Sequence, residues 1–209
     1  MVVLHYTAMD DAHRAVDWLC NPEAEVSAHY LIAEDGAVVA MVPEDQRAWH
    51  AGAGRWGAVT DVNSRSIGIE LDNPGDRPFA PAQMAALNDL LRGILRRWDI
   101  APERVIGHSD MAPGRKIDPG AYFDWKGLAA AGLAVWADGG SVADAPSVQG
   151  FRALAQRVGY TAEVEDDVLL AAFRLRFRPE AEGPVGSEDM AVLAELAARF
   201  PVDRITRSA

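Results

Sequence analysis

The chain has 209 residues, 49% of them hydrophobic and 24% charged, which is apolar material enough for one large domain or a medium domain with a small companion. Twenty Lys and Arg against thirty-one Asp and Glu leave a formal charge of -11, so a phosphate backbone is repelled and nucleic acid is excluded as a partner. No run approaches the roughly 18 uncharged apolar residues of a membrane helix, and the single cysteine, Cys20, excludes an intrachain disulfide framework and any zinc site built mainly from thiolates.

Val2 to Thr7 is β-branched and aromatic and predicts a strand. Asp10-Asp11 then caps a short helix that Asn21-Pro22 stops. Residues 28–33 and 37–42 flank Asp35-Gly36, a two-residue hairpin signal, and predict two antiparallel strands. An exposed loop over 51–63 leads to a strand at Ser66 to Leu71. Pro81 suits the first turn of a helix, and Met84, Leu87, Leu91, Ile94, Leu95 and Trp98 recur at helical spacing. Val105-Ile106-Gly107 reads as a short buried strand, followed by an ordered loop over 109–120. The fold class is therefore α/β, a mixed central sheet flanked by helices.

Between residues 137 and 147 the composition shifts to Ala, Asp, Gly, Ser and Pro, which marks a linker. Three amphipathic segments follow, at 148–158, 164–177 and 188–200, and predict a small three-helix module over 148–209 with its own core, the alternative being that the helices dock on the larger domain and complete its core. The catalytic chemistry is expected within 1–136, where most of the acidity lies.

His5 lies in the first strand, His108 directly follows the strand at 105–107, and Asp118 lies ten residues further on. Two imidazoles and a carboxylate form a three-ligand zinc set with one open position, as in catalytic rather than structural sites. The alternative is two hydrogen-bonded strand-end histidines and a turn carboxylate before proline. Glu70 ends an otherwise apolar strand, where a raised pKa suits a general base, unless the side chain simply reaches water. Lys116 is one of only two lysines and either aims its ammonium at the same place or is solvated. His13 reads as solvated, His29 as a satisfied strand histidine, and Trp49-His50 as a substrate wall at the start of a loop.

The blocks Leu4-His5-Tyr6-Thr7, Ser27 to Ile32, Arg47 to Gly52, Ser66 to Leu71, Gly107 to Asp110 and Gly114 to Gly120 together resemble the zinc-dependent N-acetylmuramoyl-L-alanine amidases of amidase type 2, which share the peptidoglycan recognition protein fold. The resemblance spans about residues 1–136. It implies that His5, His108 and Asp118 hold Zn2+, that Glu70 is the catalytic carboxylate and that Lys116 stabilises the transition state. Trp49, His50 and Arg115, lying within these blocks, are expected to bind substrate. Phage-type members tend to carry a tyrosine before the histidine of the second block and a cysteine as third ligand; Ala28 and Asp118 stand there in this chain, similar to the bacterial branch.

The C-terminal segment, with Ala171 to Arg174 and Phe177-Arg178-Pro179, resembles the peptidoglycan-binding helical module that some of these amidases append. The implied reaction is hydrolysis of the amide between N-acetylmuramic acid, or its 1,6-anhydro form, and L-alanine, in peptidoglycan or in soluble muropeptides. The alternative is a non-catalytic muropeptide-binding protein. Asp10, Asp11, Arg14 and Asp17 occupy the place of an apolar signal segment, so the expected location is the cytoplasm, or the periplasm if a longer precursor carries an export signal.

Overall fold

A five-stranded sheet of order β3-β2-β4-β1-β5 organises the protein, comprising β1 (Val2–Tyr6), β2 (Tyr30–Ile32), β3 (Val38–Ala40), β4 (Ile67–Leu71) and β5 (Val105–Gly107). The computed structural model describes residues 1–140 and 145–202, so part of the expected linker and the last seven residues of the helical segment lie outside the described residues. β1 runs parallel to β4 and β5, β2 parallel to β4, and β3 antiparallel to β2. The mixed sheet agrees with the composition of its strands. Parallel strands covered on both faces need near-continuous apolar runs, as Val2-Val3-Leu4 supplies.

Seven helices surround the sheet among the described residues: α1 (Ala12–Leu19), α2 (Pro81–Trp98), α3 (His108–Met111), α4 (Trp125–Ala130), α5 (Val148–Val158), α6 (Asp166–Phe177) and α7 (Ser187–Arg199). Asp11 caps α1, its carboxylate accepting from the amides of His13 and Arg14, and Pro81 opens α2, both as the sequence predicts. The hairpin strands are shorter than expected. Ala33 donates to Ala37 across a wider connection whose turn holds Gly36 at φ +90°, and a Cβ there would also lie 2.9 Å from the Ala82 carbonyl oxygen. The loop expected over 109–120 begins instead as α3, because the Asp110 carboxylate accepts from the Gly107 amide at 2.8 Å and closes a helical turn.

Strand alternation divides the interior in two. Val2, Leu4, Ile69 and Leu71 face α2 and meet Leu87 and Leu91, whereas Val3 and Ile106 face the other way. What covers that second face is the C-terminal region: Phe151, Phe173 and Leu193 join Val3, Ile106 and Trp56 in one continuous buried cluster. The linker composition predicts separately packed cores; the described residues form a shared one. Gly159 at the end of α5 lets Trp56 approach so closely that a Cβ would lie 2.3 Å from its ring, and Gly57 donates to the Gly159 carbonyl at 2.9 Å. α5, α6 and α7 are each too short to hold their shape alone, and a module of about sixty residues buries little by itself, so sharing a core with Val3 and Ile106 stabilises them.

Candidate active site

In open α/β sheets, functional groups collect at the carboxyl ends of the strands. Here the order β4-β1-β5 brings three such ends side by side. His5 of β1 is in register with Glu70 of β4, and His108 follows β5 directly as the first residue of α3. Alternation places His5 on the same face as Val3, and Gly68 and Glu70 on the same face of β4. Asp118 comes from the loop after α3, anchored where the Ser109 amide donates to the Asp118 carbonyl at 2.9 Å.

The three expected ligand side chains meet. His5 Nδ1 lies 2.9 Å from His108 Nδ1, and Asp118 Oδ2 lies 2.8 Å from the first and 3.0 Å from the second, all buried. The far nitrogens decide what these atoms carry. His108 Nε2 is 2.8 Å from the Ala51 carbonyl, which only accepts, so Nε2 holds the proton and Nδ1 is a bare lone pair. Ser66 Oγ donates to the Val62 carbonyl, so it accepts from His50 Nε2 at 3.2 Å; His50 Nδ1 is then bare and accepts from His5 Nε2 at 3.0 Å. His5 Nδ1 is therefore bare as well. Burial, the largest cause, lowers the His5 pKa to about 4 and likewise holds His50 well below the ordinary imidazole value, which keeps both rings neutral.

Two imidazole lone pairs and a carboxylate oxygen thus converge on one point. Such a set repels itself unless a cation lies among the three atoms, and its chemistry fits zinc: borderline nitrogen donors, one carboxylate, and second-nitrogen hydrogen bonds that fix each ring. This is the one cluster of potential metal ligands among the described residues.

A cleft of about 570 Å³ opens over this point, lined by Glu70, Lys116, Trp49 and Trp18 among others. Glu70 Oε2 is buried and has no hydrogen-bond partner among the described residues. Burial, reinforced by the Asp118 charge and opposed by Lys116, pushes its pKa well above the usual carboxylate value. Trp49 is 55% exposed on the cleft rim, with the Arg47 guanidinium 4.2 Å from its ring centroid.

The other two expected substrate contacts, His50 and Arg115, also line the cleft and carry hydrogen bonds within the protein. His50 reaches the floor of the cleft, but both its ring nitrogens are taken, by His5 and Ser66. Arg115 turns its guanidinium onto the carbonyls of Ala51 and Ala53 and braces the loop that receives the His108 proton. His29 is the satisfied strand histidine of expectation, its Nδ1 accepting from the Gly68 amide at 2.9 Å and its Nε2 donating to the Gln46 carbonyl at 3.1 Å. Ser66 and Asp110 support the site without being legible as site residues; a serine before a strand and an acidic residue in a short turn carry no distinguishing pattern.

The chain is similar to known proteins over most of its length. The profile of the N-acetylmuramoyl-L-alanine amidase family matches residues 1–121. The N-acetylmuramoyl-L-alanine amidase AmiD of Escherichia coli (strain K12) is 34% identical over 97% of this chain and 84% of that protein. The structure of AmiD in complex with anhydro-N-acetylmuramic acid-L-Ala-D-gamma-Glu-L-Lys superposes with a TM-score of 0.86 at 32% identity, covering 97% of this chain and 90% of that one. AMPDH3 from Pseudomonas aeruginosa, in complex with an anhydromuramic pentapeptide, gives a TM-score of 0.85 at 34% identity over 96% of this chain and 92% of that one. Both structural matches extend across the C-terminal helices.

Proposed function

The chain belongs to the N-acetylmuramoyl-L-alanine amidase family, and we propose on that footing how its own residues hydrolyse the amide between N-acetylmuramic acid, or its 1,6-anhydro form, and L-alanine. The observation that carries the reading is the convergence of three lone-pair atoms, on His5, His108 and Asp118, beside an unpartnered buried carboxylate oxygen of Glu70. A zinc ion held by those three residues would supply Lewis acidity, polarising the amide carbonyl and making water a better nucleophile near neutral pH.

Glu70 Oε2 takes a proton from the attacking water as the new C–O bond forms. It then delivers that proton to the alanine nitrogen as the C–N bond breaks, leaving a lactyl carboxylic acid and a free amine. Lys116, at the cleft edge, places its ammonium toward the negative charge that develops on the carbonyl oxygen. The exposed face of Trp49 offers an apolar wall for the sugar or the first peptide residue. His50 and Arg115 act one step removed: the first holds the His5 ring in its tautomer, the second holds the loop that fixes His108.

The substrates proposed are soluble muropeptides and peptidoglycan fragments, in keeping with the ligands bound by AmiD and AMPDH3. Incubation with an anhydromuramyl tripeptide and mass analysis of the products is the test. Release of the sugar acid and an L-Ala-terminated peptide supports the reading, and a cut inside the peptide overturns it.

A further inference from the structure

One buried cluster outside the amide-cutting residues joins the C-terminal helices to the site. Asp110, 1% exposed, lies two residues beyond His108 in α3. Its Oδ2 accepts from the Gly107 amide at 2.8 Å and from Arg176 Nη1 of α6 at 2.7 Å, and its Oδ1 accepts from the Tyr160 hydroxyl at 2.5 Å. Arg176 and Tyr160 are 5% and 1% exposed. The Arg176 guanidinium also stacks on Trp125 at 3.9 Å and reaches the Val135 carbonyl at 3.3 Å. Two side chains of the helical region therefore converge on one carboxylate of α3.

That carboxylate has a definite task. A four-residue helix has too few internal hydrogen bonds to hold its own shape. α3 is fixed instead by the Asp110 cap on Gly107 and by the Ser109 amide on the Asp118 carbonyl. The turn so fixed aims the His108 ring. A buried carboxylate persists as an anion only when it is paired and hydrogen-bonded. Deprived of Arg176, the Asp110 carboxylate loses the side chain that fixes Oδ2 in place, and its hold on the Gly107 amide and the direction of His108 loosens.

We propose that Arg176 and Tyr160 are positioning residues of the amidase site, holding Asp110 and through it the turn that carries His108. The helical region is then part of the catalytic unit, whatever it also binds. This inference rests on the zinc reading above, so its test separates the two.

In the full-length chain, Tyr160→Phe and Arg176→Lys are compared with wild type well below the melting temperature of the weakest variant. Zinc affinity is read by competition with a chromophoric chelator, and kcat and KM on a soluble anhydromuramyl tripeptide. The expected result is zinc affinity weakened by about tenfold or more, as for other residues that orient metal ligands, with kcat lowered and KM unchanged. Variants that melt earlier yet keep wild-type zinc affinity and kcat would overturn the inference and leave the cluster a purely structural one. If Arg176→Lys does not fold, Tyr160→Phe decides by the same criterion. A wild-type chain that binds no zinc defeats the zinc reading and this inference together, whereas unchanged zinc binding across all three proteins defeats this inference alone.

Discussion

Gly68 lies directly beneath the imidazole of His50: a Cβ at position 68 would stand 2.3 Å from His50 Cγ. The strand residue is glycine because the ring that fixes the His5 tautomer rests on its backbone. Gly68→Ala should therefore displace His50, weaken zinc binding and lower turnover at least tenfold. Gly140→Ala, where a Cβ meets nothing within 4 Å, serves as the control and should change neither quantity. Chelator competition and steady-state rates check both.

Glu70→Gln keeps the shape of the side chain and removes its capacity to take a proton. Because His5, His108 and Asp118 are untouched, the variant should bind zinc as the wild type does and turn over about a hundredfold or more slowly. Retention of near wild-type kcat would place the general base elsewhere.

The three converging lone pairs imply about one zinc per chain. Dialysis against a chelator should abolish hydrolysis and lower the melting temperature, since the ion relieves the repulsion among these atoms and binds the folded state alone. Adding back one equivalent of zinc should restore both, as followed by calorimetry and rate.

Glu44 sits on the far side of the sheet, accepting from Arg97, Trp98 and Tyr30. The Arg97 hydrogen bond is the largest influence and outweighs burial, holding the Glu44 pKa at about 2. A depressed folded value means that the stabilisation is complete above the ordinary carboxylate value of 4.5 and is lost as pH falls toward 2. Glu44→Gln should melt a few degrees below wild type at pH 7, and the gap should close as the pH is lowered through that window. A gap independent of pH would mean that the charge of Glu44 contributes nothing.

Removal of residues 147–209 would uncover Val3, Ile106 and Trp56 and strip Asp110 of Arg176 and Tyr160. The truncated chain should lose activity on soluble muropeptides as well as stability, with a large fall in melting temperature or no soluble product. A single truncation in the same cluster, Phe173→Ala, should cost about 3–5 kcal/mol, measurable by urea denaturation. A truncated chain with full soluble activity would instead match the tethered module that the linker composition suggests.

Much of the protein was legible in the amino-acid sequence. Asp11 and Pro81 mark helix starts through local chemistry, the β-branched and aromatic run from Val2 announces a strand, and the blocks around His5, Glu70, His108 and Asp118 identify the family and nominate the ligands. Each of these signals is local, or is carried by several local motifs in order. Tertiary structure decided the rest. That His50 meets His5, that Arg115 reaches the Ala51 and Ala53 carbonyls, and that Arg176 pairs with Asp110 across 66 positions of sequence all depend on which side chains meet. The same holds for the C-terminal helices: their periodicity states that each has an apolar face, but a face does not name its partner. Burial of Phe151, Phe173 and Leu193 together with Val3 and Ile106 joined what the composition divides.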